Sequence, residues 1–303
     1  MKGYKITVPA TCGNVGPGFD CFGCALALYN HFEVRPSEEL KITASGTYAD
    51  RVAKNKHNLV YQSFEQVFTH LGMTKPIVSM HMEVHIPLSR GLGSSATAAI
   101  GGLMAGNVLA GSPLSAKEIL QLATNIEGHP DNVAPAMLGG CQLVASGKPG
   151  EWQFCAVPWH ESLVTIVAIP DFELSTAKAR QVLPKEVPLG DAVFNCAHLA
   201  VLLQGLSQGQ ADWIKLGLQD RLHQPYRQSL IPGMEKVQNH ALAAGALGVV
   251  ISGAGPTLLA VATREFAPQI GEAMVTAWQQ ENIKSTYLVL EIDRSGTVVT
   301  ELD

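Results

Sequence analysis

No surplus of positive charge, no disulfide framework and no internal repeat or low-complexity tract occurs in these 303 residues. With 21 Lys and Arg against 26 Asp and Glu the net charge is −5, so there is no broad basic face and nucleic acid is excluded as the main partner. A phosphorylated ligand would have to be held by local dipoles and a metal. The opening Met1-Lys-Gly-Tyr-Lys has no apolar core of signal-peptide length, and no later stretch reads as long and apolar enough to span a bilayer. The expectation is a cytoplasmic protein with no membrane partner. The six cysteines, Cys12, Cys21, Cys24, Cys141, Cys155 and Cys196, are scattered, so reduced thiols are the default. Cys21 and Cys24 form a C-x-x-C pair, but no second pair completes a tetrahedral site, and Gly16, Gly18 and Gly23 around it mark a loop.

What is present is a mixed α/β pattern long enough for one large or two ordinary domains. Residues 5–9, 25–35 and 40–44 read as strands. Residues 58–71 carry apolar residues at helical spacing and end at Gly72. Residues 77–86 alternate with period two, placing His81, Glu83 and His85 on one face. A solvated strand face is preferred there to a metal site. Helices are expected from Ser94 to Ala110 and, through the capping-box spacing of Ser115 and Glu118, to about Glu127. After a strand at 141–145, the stretch 146–150 is the best domain junction, giving units 1–150 and 151–303 that pack closely. The second half reads as strands at 163–170, 248–252, 257–263 and 285–291. Its helices are expected at 175–182, 191–206, 211–222, 234–244 and 267–280, and two helices on an antiparallel sheet is the natural arrangement.

The most informative stretch is Pro87-Leu-Ser-Arg-Gly-Leu-Gly-Ser-Ser-Ala96, where a strand runs through Gly91 and Gly93 into a helix. Glycines allow close approach of backbone to ligand, and amide hydrogens at a helix start cradle anions. Ser94 and Ser95 add hydroxyls suited to a phosphate oxygen or hydrated magnesium. The Gly-Lys-Ser/Thr ending of a Walker loop is missing, and a plain tight turn is the alternative. Three other clusters are polar. Residues 9–20 form a glycine-rich loop with Asn14 and Asp20, either orienting a small polar molecule or closing an Asx turn. Residues 127–135 place Glu127, His129, Asp131 and Asn132 together, a density rare in a plain linker; Glu127 could be an oxygen ligand for magnesium. Arg180 and Arg227 could grip a carboxylate through paired hydrogen bonds, although a solvated surface is the better reading for single arginines.

Together the pieces resemble the GHMP kinases. Residues 87–96 look like their phosphate loop and Ile251-Ser-Gly-Ala-Gly-Pro-Thr257 like their C-terminal glycine motif. Pro9-Ala-Thr-x-x-Asn-x-Gly-Pro-Gly-Phe-Asp20 and His129-Pro-Asp-Asn-Val-Ala-Pro135 are similar to the homoserine kinase branch. The resemblance implies a two-domain α+β fold: an N-terminal ribosomal-protein-like α/β domain with a left-handed crossover, and a ferredoxin-like C-terminal domain. It implies ATP over Pro87, Leu88, Ser89, Arg90, Gly91, Leu92, Gly93, Ser94, Ser95, Ala96, Thr97 and Ala98, with the adenine near Asn58. Mg2+ would rest on Ser95 and Glu127. L-Homoserine would sit against Asn14, Asp20 and His129, its carboxylate on Arg180 and Arg227, with a contact from Thr176. The implied reaction is phosphorylation of the homoserine hydroxyl in threonine biosynthesis. Asn14, Asp20, Asn132 and Arg180 would act at the reacting centre. Asn132 departs from relatives that place an aspartate base there, and an amide cannot take a proton. Asp131 should point another way, so the implied mechanism has no strong general base. A mevalonate-type or sugar kinase and a nucleotide-binding regulatory module are the alternatives. Dimers are common among similar proteins, so a homodimer is among the implied assemblies.

Overall fold

A computed structural model describes residues 2–148 and 151–303. In chain order its elements begin with β1 (Gly3–Gly13), β2 (Phe22–Pro36), β3 (Lys41–Ser45), α1 (Leu59–Leu71) and β4 (Val78–Glu83). Then come α2 (Ser94–Leu109), α3 (Ala116–Glu127), α4 (Pro130–Leu138), β5 (Cys141–Lys148) and β6 (Glu151–Val157). The remainder is β7 (Leu163–Pro170), α5 (Thr176–Gln181), α6 (Leu189–Gln208), α7 (Ala211–Gly217), α8 (Gln224–Arg227), α9 (Met234–Ala243), β8 (Gly248–Ile251), β9 (Leu258–Thr263), α10 (Ala267–Gln280), β10 (Ser285–Leu290) and β11 (Val298–Leu302).

The first sheet runs β11-β1-β2-β4-β3, with β5 paired to the far end of β2 and β6 to β5. Only β3 and β4 are parallel, and α1 lies between them in sequence. The second sheet, β10-β7-β9-β8, is antiparallel throughout. Its order and its two covering helices, α9 and α10, give the ferredoxin-like half of a two-domain α+β fold.

Local chemistry explains most helix limits. Asn58 caps α1 by accepting from the amides of Val60 and Tyr61, and Gly72 ends it in the left-handed conformation. Ser115 and Glu118 form the expected capping box of α3, which stops at Gly128. In α2 the small residues bring backbones together: a side chain at Gly102 would meet the Val60 carbonyl, and one at Gly101 the Phe32 ring. One core lies between the first sheet and α1–α3, another under α9 and α10. A third spans the two sheets, from Cys12, Phe22 and Leu26 to Leu163, Leu259 and Leu206, so the halves share buried surface.

Several expectations change. The strand expected at 5–9 extends to Gly13, because its inward residues stay apolar up to Cys12. β4 stops at Glu83, leaving His85 in the turn; His81 bonds Thr43 and Ser45, and His85 bonds Glu83. Most of the 127–135 cluster, read only as a functional one, lies in the helix α4, with Pro130 at its first position where no amide is needed. Of the expected junction 146–150, residues 146–148 belong to β5 and the other two lie outside the described residues, and β5 pairs with β6. The first sheet therefore continues to Val157 and also takes back β11. Against expectation, α6 is long and apolar enough to cross a membrane by length and composition; here it packs through Asn195, Leu202, Gly205 and Leu206.

Candidate active site

The turn between β4 and α2 is held open by its backbone. Ser89, Gly91 and Gly93 all have positive φ, 55°, 78° and 69°. A side chain at Gly91 would collide with the Ser252 carbonyl, and one at Gly93 with the Thr11 hydroxyl. The loop's carbonyls turn outward to neighbours. Leu174 N donates to Ser89 O (3.2 Å), Ser252 Oγ to Gly91 O (2.7 Å), Thr11 N to Leu92 O (3.2 Å) and Thr257 N to Arg90 O (3.3 Å). The first turn of a helix leaves amide hydrogens without internal partners. In α2 those belong to Ser94, Ser95 and Ala96, which line a cavity of about 220 Å³.

The distant motifs converge on that cavity. The 14–20 turn and the 253–256 glycine motif are clasped together: Asn14 Nδ2 donates to Gly253 O (3.1 Å) and Gly253 N to Gly13 O (2.9 Å). Asn14 Oδ1 accepts the Asp20 amide at 2.8 Å, so both its polar atoms hold the loop. Asn14, Pro87, Ser89, Arg90, Gly91, Gly93, Glu127, His129, Asn132, Thr176, Arg180 and Arg227 share the cavity wall. A neighbouring cavity of about 290 Å³ is lined by Asn58, Leu88 and Ala98 and shares Ser89, Ser94 and Ser95. Asn58 is occupied by capping α1, with its Nδ2 donating to Ala53 O at 2.6 Å. Leu92 and Thr97 face the core instead. The Arg90 guanidinium turns away to Pro170 O (3.1 Å) and Glu173 (3.4 Å).

Charge is distributed unevenly around the wall. Ser95 Oγ donates to Glu127 Oε1 at 2.6 Å, and burial raises the pKa of Glu127 although the Ser95 bond and His129 oppose it. His129 Nδ1 lies 2.6 Å from Asp131 Oδ1. Burial pulls the His129 pKa down, but the bond and charge of Asp131 outweigh it and the net shift is upward. Asp131 is fully buried and points behind His129 rather than into the cavity, fitting where Gly13 and Gly23 leave room. Asn132 accepts from Thr11 Oγ1 (2.9 Å) and donates to Asp131 Oδ2 (3.3 Å).

Asp20 lies beside the cavity and receives both arms of Arg180, Nη1 at 3.0 Å and Nη2 at 2.6 Å. Arg227 is 1% exposed. Its Nε donates to Ala179 O (3.2 Å) and its Nη1 to Gly253 O (3.0 Å), while burial and then Arg180 bring its pKa to about 10. The solvated-surface reading is thus corrected for Arg227, while the side chain of Arg180 keeps 38% of its surface exposed. One carboxylate orders Arg180, and backbone carbonyls order Arg227. Asp20, His129 and Asp131 can bring ligand atoms within 4.8 Å of one another. In this structure His129 and Arg180 already serve those carboxylates as counter-charges.

Sequence reasoning missed Phe19 and Ser252 as builders of the site. Ser252 sits inside the 251–257 motif and could have been singled out. Phe19, under both arginines at 5.5 and 5.2 Å, carries no polar signal.

Residues 58–140 match the GHMP kinases N terminal domain and residues 202–280 the GHMP kinases C terminal. The homoserine kinase of Trichormus variabilis is 53% identical over 298 residues, covering 98% of both chains. That of a Synechocystis species is 49% identical over 307 aligned positions, covering 100% of each. The crystal structure of homoserine kinase from Cytophaga hutchinsonii superposes with a TM-score of 0.89 at 33% identity, covering 98% of this chain and 97% of that one.

Proposed function

Because the chain belongs to the GHMP kinases, and among them to the homoserine kinase family, we propose that it transfers the γ-phosphoryl group of ATP to the side-chain hydroxyl of L-homoserine, a step of threonine biosynthesis. One observation carries the reading. The helix-start amides of Ser94–Ala96 and two ordered arginines, Arg180 and Arg227, line the same cavity. An anion cradle beside a carboxylate grip suits a triphosphate next to an amino acid.

The proposed roles follow from the contacts. The triphosphate lies over residues 87–96, with the adenine in the cavity lined by Asn58 and Leu88. The substrate's carboxylate takes Arg180 and Arg227, its ammonium takes Asp20, and His129 and Thr176 close the sides. Asn14 keeps Asp20 in place through the 2.8 Å bond to its amide. Asn132 cannot accept a proton, and both Asp131 oxygens already accept hydrogen bonds. The hydroxyl proton therefore passes to the oxygens of the phosphoryl group being transferred. Catalysis rests on positioning and on oriented donors, each worth about 3–4 kcal/mol where such donors have been removed from enzymes.

Ser95 and Glu127 offer the hydroxyl and carboxylate oxygens that suit Mg2+, and burial raises the pKa of Glu127. Mg2+ bound there would neutralise phosphate charge. The division proposed with this reading is a nucleotide-binding unit within 1–150 and a C-terminal unit within 151–303, with β6 and β11 lending strands back to the first sheet. A cytoplasmic location, where six reduced thiols are the stable form, and assembly as a homodimer complete the proposal.

The test compares acceptors. With ATP and Mg2+, L-homoserine should outpace mevalonate and galactose at equal concentration. Preference for mevalonate would favour the mevalonate-type alternative, and no turnover with any of them would favour a regulatory nucleotide-binding module.

A further inference from the structure

Behind Arg227 lies an imidazole that the mechanism has not used. His223 is fully buried, four residues before Arg227. Its Nε2 is 2.8 Å from the carbonyl oxygen of Gly16, and its Nδ1 is 3.4 Å from Nη1 of Arg227. A carbonyl only accepts, so Nε2 must carry the hydrogen. A guanidinium only donates, so Nδ1 must present its lone pair. One species satisfies both contacts, the neutral Nε2–H tautomer.

The surrounding charges agree. Arg227 beside it opposes a positive ring. Asp220 Oδ2, 3.5 Å from Nε2, and the more distant Asp20 pull the other way. The oxygens of Asp220 are already engaged: they accept the amides of Leu222, His223 and Gln224 and Nδ2 of Asn195. Burial is the main reason the ring's pKa lies below the ordinary histidine value, although the bond to the Gly16 carbonyl also opposes it.

The same imidazole stacks on Phe19, 5.3 Å between centroids at 26°. Phe19 and Gly16 belong to the turn that ends in Asp20. With Nε and Nη1 of Arg227 fixed, Nη2 makes no hydrogen bond among the described residues and is left for a ligand.

We propose that His223, held as the neutral Nε2–H tautomer between Gly16 and Arg227, is a positioning residue that aims Arg227 at the substrate carboxylate and ties it to the Asp20 loop. This rests on the reading of Arg227 as a carboxylate-binding residue.

The experiment measures KM and kcat for L-homoserine and KM for ATP in His223→Phe, His223→Gln and Arg227→Lys, with ring-nitrogen NMR of the wild-type protein. His223→Phe keeps the ring and loses both polar contacts, so the homoserine KM should rise about tenfold or more, with the ATP KM unchanged. His223→Gln restores one donor and one acceptor and should recover most of the loss. NMR should show a neutral ring protonated at Nε2 at pH 7, a readout that holds even if His223→Phe fails to fold. An imidazolium, an Nδ1–H tautomer, or a folded His223→Phe with unchanged homoserine KM would overturn the proposal. If Arg227→Lys leaves that KM unchanged, the reading of Arg227 fails and the proposal falls with it. If Arg227→Lys raises it and His223→Phe does not, only the role of His223 fails.

Discussion

Asp20 and Arg180, 160 residues apart in sequence, meet through two parallel hydrogen bonds of 3.0 and 2.6 Å beside the cavity. Each is the other's counter-ion, and an amino acid carries the complement of both. A bound zwitterion can exchange one internal ion pair for two external ones, its ammonium on Asp20 and its carboxylate on Arg180.

Removing either partner should therefore affect one substrate. Asp20→Asn and Arg180→Lys are expected to raise the KM for L-homoserine about ten- to hundredfold, the range for losing a charge-assisted contact, and to leave the ATP KM unaltered. Initial-rate kinetics with each substrate varied in turn checks this. Parallel rises in both constants would point to a misfolded loop instead.

Glu127 gives a prediction with a definite sign. Burial raises its folded pKa above the unfolded value, so proton binding stabilises the fold. That contribution is complete below the unfolded value and is lost as pH rises through the folded one. Above the folded pKa the protein holds a desolvated carboxylate, and there Glu127→Gln should raise its melting temperature. Turnover should fall about a hundredfold or more, as for loss of one preorganised electrostatic group. A variant both less stable and fully active would contradict the placement.

His129 runs the same way for the opposite charge. Its folded pKa is raised through Asp131, so the pair stabilises the protein fully below about pH 6.5 and loses that stabilisation as pH rises through the folded pKa. The melting-temperature gap between the wild type and His129→Gln should be widest at pH 6 and narrower at pH 9. Thermal melts across that range would show it.

Asn132→Asp tests the base-free mechanism. Its new carboxylate would face Asp131, whose Oδ2 is 3.3 Å from the present amide nitrogen. Repulsion between like charges should cost stability and leave turnover the same or lower. A gain of more than about tenfold in kcat would mean that a base at this position helps.

Much of this site is legible in the sequence because its chemistry is local. Gly91 and Gly93 are where backbone meets backbone or a hydroxyl, and the Ser115–Glu118 spacing fixes a helix start. The proline opening α4 concealed a helix because the same residues also read as a functional turn. Glycine and proline mark a break at 146–150, but nothing local tells that β5 and β6 pair. Long-range pairings leave no local trace. Nothing near Phe19 announces that it will lie under two arginines, and no local signal tells that the carbonyls of Ala179 and Gly253 enclose Arg227.

The most direct test of the central claim, that four distant segments form one phosphoryl-transfer cleft for an amino alcohol, is phosphorus NMR of the protein with Mg2+, ATP and L-homoserine. A new phosphomonoester resonance growing in step with ADP is predicted. Inorganic phosphate released at a rate indifferent to homoserine, with no such resonance, would contradict it.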